Sequence, residues 1–180
     1  MFSRCLRADF YKMKRSSVTI AHIVIPIVVS AVFLAYYAAS GWNETDKISA
    51  FYEALGFGFP VLIGIFVAST MEQEQNAGSF QNLLTIRSKK AAFFSKVVTL
   101  LLLSLFALLF TAVLFGLGFI MIHGQGTASM GVFLMAAFVM WLSAIPLYLI
   151  FEIFAFVFGK AFVIGAGLIS GLISALFLTD

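Results

Sequence analysis

MEQEQNAGSFQNLLTIRSKKAAFFSK, residues 71–96, is where an otherwise apolar chain stops resembling lipid. Two acids, Glu72 and Glu74, alternate with glutamines near its start. Gly78 and Ser79 then open a short stripe of Phe80, Leu83 and Leu84, and four bases (Arg87, Lys89, Lys90 and Lys96) lead into the next apolar run. A polar stretch between two long apolar runs is what a chain needs where it leaves a bilayer and turns back. The fold expected from this stretch is therefore an all-α, polytopic membrane bundle.

Composition agrees. The 180 residues are 62% hydrophobic and 11% charged, against about 25% charged in a soluble domain. A span takes roughly 20 residues, and the apolar runs fall at 18–38, 51–70, 97–122, 130–151 and 161–178. The formal charge of +3 is clustered beside those runs rather than on a soluble face, which excludes a nucleic-acid reading. The lone Cys5 forms no internal disulfide and is no metal site by itself. The first apolar run exceeds the h-region of a cleaved signal peptide.

Upstream of the first run, residues 1–16 read as an amphipathic helix lying in the interface. At about 100° per residue, Phe2, Cys5, Leu6, Phe10 and Met13 share one arc, and Arg4, Arg7, Lys14 and Arg15 share the other. Such a pattern lies flat on anionic lipid; the alternative is a solvated basic terminus. Asp9 falls in the apolar arc, where it needs Lys12 or a loop cation as partner.

Within the spans, Pro26 predicts a kink that neighbouring helices stabilise, and His22 reads as a packed or interfacial histidine in preference to a proton relay. Residues 40–50, SGWNETDKISA, read as a polar loop edged by Tyr36, Tyr37, Trp42 and Tyr52, the composition of an aromatic belt. The FEIFAFVFGK segment, 151–160, is too apolar for an ordinary loop and reads as a buried or re-entrant turn, with Glu152 at the cytosolic boundary near Lys160. In the last run, Gly167, Gly171 and Ala175 place small residues four apart on one face, a spacing that permits close helix contact.

Orientation follows from the bases. The N-terminal arm holds five, the 71–96 segment four and the 152–160 turn one, while the two remaining loops hold only Lys47. The positive-inside rule then expects a cytosolic N-terminus and a chain that ends outside after five spans. No phosphate-binding loop, metal-ligand set or nucleophile elbow is present in the sequence. The expectation is a membrane subunit, not an enzyme, with no cofactor of its own.

A subunit without an engine borrows one. Residues 79–86 can form a helix of about two turns that Ser79 would cap, with Phe80, Leu83 and Leu84 on one face suited to a partner's groove. A face resting on the membrane surface is the plainer alternative. The RADFYKMKRSS arm before the first span, the 71–96 segment and the order of the spans together resemble the membrane subunits of type-2 ABC exporters, and especially the lantibiotic-immunity permeases of Gram-positive bacteria. That resemblance implies a cell-membrane permease paired with a second permease, the same or similar. It implies a partner ABC ATPase that binds ATP and Mg, and a peptide substrate moved out of the membrane for self-protection. It further implies that 71–96 is a cytosolic coupling segment, with Glu72 and Glu74 near the membrane end of the ATPase contact and Phe80, Leu83 and Leu84 in the ATPase groove. The family usually has six spans and ends in the cytosol, so five spans are expected to mean a fragment, a shortened relative or a frame-interrupted copy that lacks the sixth. Two rivals stay open at this level: the same scaffold serving a drug or lipid-linked precursor, and a non-transporting assembly or sensor subunit.

Overall fold

The computed structural model describes residues 2–14, 16–76, 88–124 and 128–177. Among them there are helices and short connections and no strand. In chain order the helices are α1 (Phe2–Met13), α2 (Ser17–Ala39), α3 (Glu44–Asn76), α4 (Lys89–His123), α5 (Met130–Phe158) and α6 (Lys160–Leu176). The helices α2 to α5 are long and apolar enough to cross a bilayer. The 17 residues of α6 are apolar as well, at the lower end of what a span needs. The chain is a polytopic helical membrane bundle.

The helices outrun the apolar runs that announce them, because backbone hydrogen bonding does not stop where hydrocarbon does. Residues 44–50, expected as loop, are the first turns of α3, where Glu44 and Asp46 face the helix's positive end. At its other end α3 continues through Asn76. Lys89, Lys90 and Lys96 are likewise helical. Ser88 caps α4 by accepting a hydrogen bond from the Ala91 N–H at 3.3 Å. The 151–160 segment is no re-entrant turn: α5 runs unbroken to Phe158, and the reversal is the single residue Gly159. Its φ of +84° suits glycine, and its N–H bonds to the Ala155 carbonyl at 3.1 Å.

Packing centres on α3 and α4. The most extensive pairing is α3 with α6; α4 packs on α2, α5 and α1. The α3–α6 seam is closed by three glycines. A Cβ on Gly64 would lie 2.8 Å from the Val163 carbonyl oxygen, one on Gly167 would lie 3.0 Å from that of Pro60, and one on Gly171 would lie 2.8 Å from that of Phe57. The helix backbones therefore touch, the close approach that small residues allow in membranes. Ala175 is only half-buried at the end of this line.

At the end of the bundle away from α1, aromatic rings form the core. Phe51 stacks on Phe115 at 3.6 Å, with Tyr37, Phe119 and Phe133 around them. Lys47, read as a loop cation, is in fact buried. Its Nζ donates to the Tyr37 carbonyl at 3.0 Å and meets His123 Nε2 at 3.0 Å, tying together the ends of α2, α3 and α4. The outward faces of α2 (Ile20, Ile23, Val24, Ile27, Val28, Val32) are apolar and exposed, as lipid contact requires.

Candidate functional site

The polar groups with something to do gather at the opposite end, where α1 and the start of α2 meet the end of α3 and the start of α4. Glu74, on the last turn of α3, is 6% exposed. Its Oε1 accepts from Lys12 Nζ of α1 at 2.7 Å and lies 3.1 Å from Lys96 Nζ of α4. Lys96 is itself buried, whereas the Lys12 side chain is about half exposed. Asp9, one turn before Lys12 on α1, finds its main partner in a hydroxyl: Ser95 Oγ donates to its carboxylate. Burial raises the Asp9 carboxyl above its ordinary value, against the opposing pull of the Ser95 hydroxyl, Lys96 and Lys12.

A second set of bonds fastens the same joint from the side. Gln73 Nε2 donates to Ser16 Oγ at 2.6 Å, and that oxygen also accepts from the Val18 N–H at 3.2 Å as the N-cap of α2. Thr19 Oγ1 donates to the Met13 carbonyl at 2.7 Å. Four chain segments are thus held in one register at the base of the bundle. A buried ion pair is weak evidence of stability, but it is expensive to break from one side.

The two acids that look alike in sequence have parted. Residues two apart on a helix point roughly 200° away from each other, so Glu74 turns inward and Glu72 outward. Glu72 pairs with Lys160 at 2.5 Å, both side chains about half exposed, a contact worth about 1 kcal/mol or less. It joins the end of α3 to the start of α6. This also corrects the expected surroundings of Glu152. Lys160 is engaged with Glu72, and Glu152 is 1% exposed inside the bundle, with Oε1 unpartnered among the described residues. Lys96 is the cation whose field reaches it.

The other expected residues are placed as follows. Arg4, Arg7 and Phe10 are exposed on α1, and Lys14 is exposed just after it. Arg15, Phe80, Leu83 and Leu84 lie outside the described residues, although Asn76 and Ser88, which bound the 77–87 stretch, are described. Among the described residues no group of His, Cys, Asp and Glu is arranged to hold a metal ion. Sequence reasoning missed the joint because Lys12 and Glu74 are 62 positions apart. Only the oddity of Asp9 on an apolar arc hinted that α1 faces protein as well as lipid.

Comparison with curated proteins and with solved structures returns no match. A family model described as ABC-2 family transporter protein matches residues 5–176, nearly the whole chain and every helix of the bundle. An amphipathic first helix docked on a bundle of apolar helices, with a charged joint at its base and a family match over residues 5–176, leaves one assignment: the chain belongs to the ABC-2 transporter family, as the permease subunit of an ABC exporter.

Proposed function

We propose that this permease exports an antimicrobial peptide of the lantibiotic class out of the membrane, as a self-immunity device, and that its charged joint receives the push of the ATPase. Membership of the family implies an ABC ATPase as partner. In this reading α1 and the joint face the cytosol, and 71–96 is the coupling segment whose Phe80, Leu83 and Leu84 seat in the ATPase groove. ATP and Mg are bound on the partner.

The observation that carries the mechanism is the position of the joint. Glu74 and Gln73 lie just before the 77–87 stretch, and Ser95 and Lys96 lie shortly after it. Glu74 and Ser95 are bonded to α1, Gln73 is bonded to the start of α2, and Lys96 is paired with Glu74. A displacement applied to 77–87 is therefore delivered to α1, α2, α3 and α4 together. Binding energy spent at the ATPase can then bias a two-state bundle. The peptide cargo rests on the resemblance described above and on an apolar groove of about 850 Å³ between α3, α5 and α6, walled by Tyr52, Pro60, Met135, Val139, Leu147 and Ser174. That surface suits the apolar side of an amphiphilic peptide.

Replacing Phe80, Leu83 and Leu84 by alanine removes the proposed interface anchors. A hot-spot loss of about 2 kcal/mol predicts roughly thirtyfold less ATPase recovered by pull-down at matched membrane levels. Unchanged recovery would return this segment to the membrane surface. Cargo is tested by expressing the chain with its ATPase in a sensitive host, where lantibiotic tolerance should rise. Susceptibility that stays the same across lantibiotics would refute that part.

Orientation has its own test. With Cys5 replaced by serine, a cysteine at Asn43 should react with an impermeant maleimide in intact cells and one at Ser88 should not. Labelling at Ser88 alone would invert the topology.

A further inference from the structure

At the α1 end of the bundle, acids and bases are used differently. Among the described residues, Glu74 and Asp9 are held inside the joint, Glu72 pairs with Lys160, and Glu152 is buried among the helices. Arg4, Arg7, Lys14, Lys89 and Lys90 are all exposed, and none of them has an acidic partner among the described residues. The acids are spent internally and the bases face outward.

These bases come together from two helices. Lys14 continues the last turn of α1, its N–H bonded to the Phe10 carbonyl at 3.1 Å. At 100° per residue, Arg4, Arg7 and Lys14 fall in one arc of roughly 80° around the exposed Tyr11. That arc lies opposite Asp9, which binds Ser95 of α4. Arg4 and Lys14 are each five residues from Asp9, and Lys89 is six from Ser95. At 1.5 Å per residue, all five bases therefore stand within roughly 10 Å of the Asp9–Ser95 contact along the helix axes. Lys89 and Lys90 occupy the first turn of α4, which holds no acid. A helix N-terminus carries the positive end of the dipole and disfavours cations, so this placement calls for an anion from outside the chain. Phe10 and Phe94, both exposed, stand beside the bases as apolar contacts.

We propose that α1 and the first turn of α4 form a binding surface for the phosphate headgroups of anionic phospholipid. The bases meet the phosphates, while Phe10, Tyr11 and Phe94 lie against the upper part of the acyl chains. Basic residues over aromatic ones match an anionic leaflet in both charge and depth. Because α1 holds Ser95 and Glu74 from its other face, the lipid grips the same helix that closes the joint. The surface lies within one chain and depends on neither the cargo nor the ATPase.

The test uses the full chain in phosphatidylcholine nanodiscs with a phosphatidylglycerol whose acyl chain carries a photoreactive diazirine close to the glycerol. Labelling should concentrate on Phe10, Tyr11 and Phe94 over Tyr36 and Trp42, which are exposed at the opposite end of the bundle. Unlabelled phosphatidylglycerol should compete at least tenfold better than phosphatidylcholine, and salt should reduce that preference. Lys89→Gln with Lys90→Gln leaves the bases of α1 in place and should lower the preference about fivefold or more, since one base near the surface contributes about 1 kcal/mol. Adding Arg4→Gln and Arg7→Gln should erase it, with the thermal midpoint in pure phosphatidylcholine unchanged because these side chains are exposed and unpaired among the described residues. Equal competition by the two lipids in the unmodified chain would overturn the proposal. So would equal labelling at both ends, or a preference that survives the fourfold change. Loss of ATPase in a pull-down with the lipid preference intact would assign the bases to the partner and overturn it as well.

Discussion

Gly64→Leu should leave little folded protein in the membrane, the largest loss expected of any single substitution in this chain. A Cβ at this position already meets the Val163 carbonyl oxygen at 2.8 Å and the Gly167 Cα at 3.2 Å, and those are backbone atoms that cannot swing aside. Overpacking a core costs about 1–3 kcal/mol and occasionally more, and leucine at a backbone-to-backbone contact belongs at or above the top of that range. The alanine series separates packing from helix propensity. In a helix interior, Gly→Ala ordinarily stabilises by up to about 1 kcal/mol. Gly165 and Gly56 have open space where a Cβ would go, so alanine there should be neutral or stabilising. At Gly64, Gly167 and Gly171 the sign should reverse. Thermal denaturation in nanodiscs reads the sign directly, and equal shifts at all five positions would refute a backbone seam between α3 and α6.

Glu74→Leu comes next. It removes the carboxylate shared by Lys12 and Lys96 and leaves Lys96 buried with only the fields of Asp9 and Glu152 to offset its charge. Breaking a buried pair from one side costs about 3–5 kcal/mol, and Asp9 keeps the expected loss near the lower figure. Lys12→Ala should matter far less, because the Lys12 side chain is about half exposed and such contacts are screened. The double variant Glu74→Leu with Lys96→Met should recover most of the stability, since the uncompensated charge goes with its partner. It should not recover transport if the joint transmits force, because the tie between α3 and α4 is still missing. Stability by thermal denaturation and ATP-driven export, measured on the same preparations, distinguish the two outcomes. Recovery of both would make the joint a purely structural element.

Neither result can be anticipated from sequence spacing alone, and the reasons differ. Gly167 and Gly171 advertise a close-packing face by their four-residue period, but what they pack against is Gly64, Pro60 and Phe57 on a helix far away in the chain. Glu74 advertises nothing, since an acid among glutamines beside a span reads as solvated. Sequence leaves His22 packed or interfacial, and the structure buries it. Its stacking partner, Phe66 on α3, depends on how the helices stand around it.

The amino-acid sequence by itself determined the membrane class, the helical fold, the amphipathic first helix and the approximate places of the apolar helices. It also carried the resemblance that the family match extends over residues 5–176. These follow from local properties: hydropathy over about 20 residues, the 3.6-residue period and the grouping of charge. Only the tertiary structure decided where the helices end, which of Glu72 and Glu74 turns inward, that Lys47 and Glu152 are buried, and that Lys160 belongs to Glu72. Each of these is a relation between groups on separate helices. In hydrocarbon a polar group's state is set by whichever neighbour packing brings within about 3 Å, and hydropathy along one helix carries no record of that neighbour.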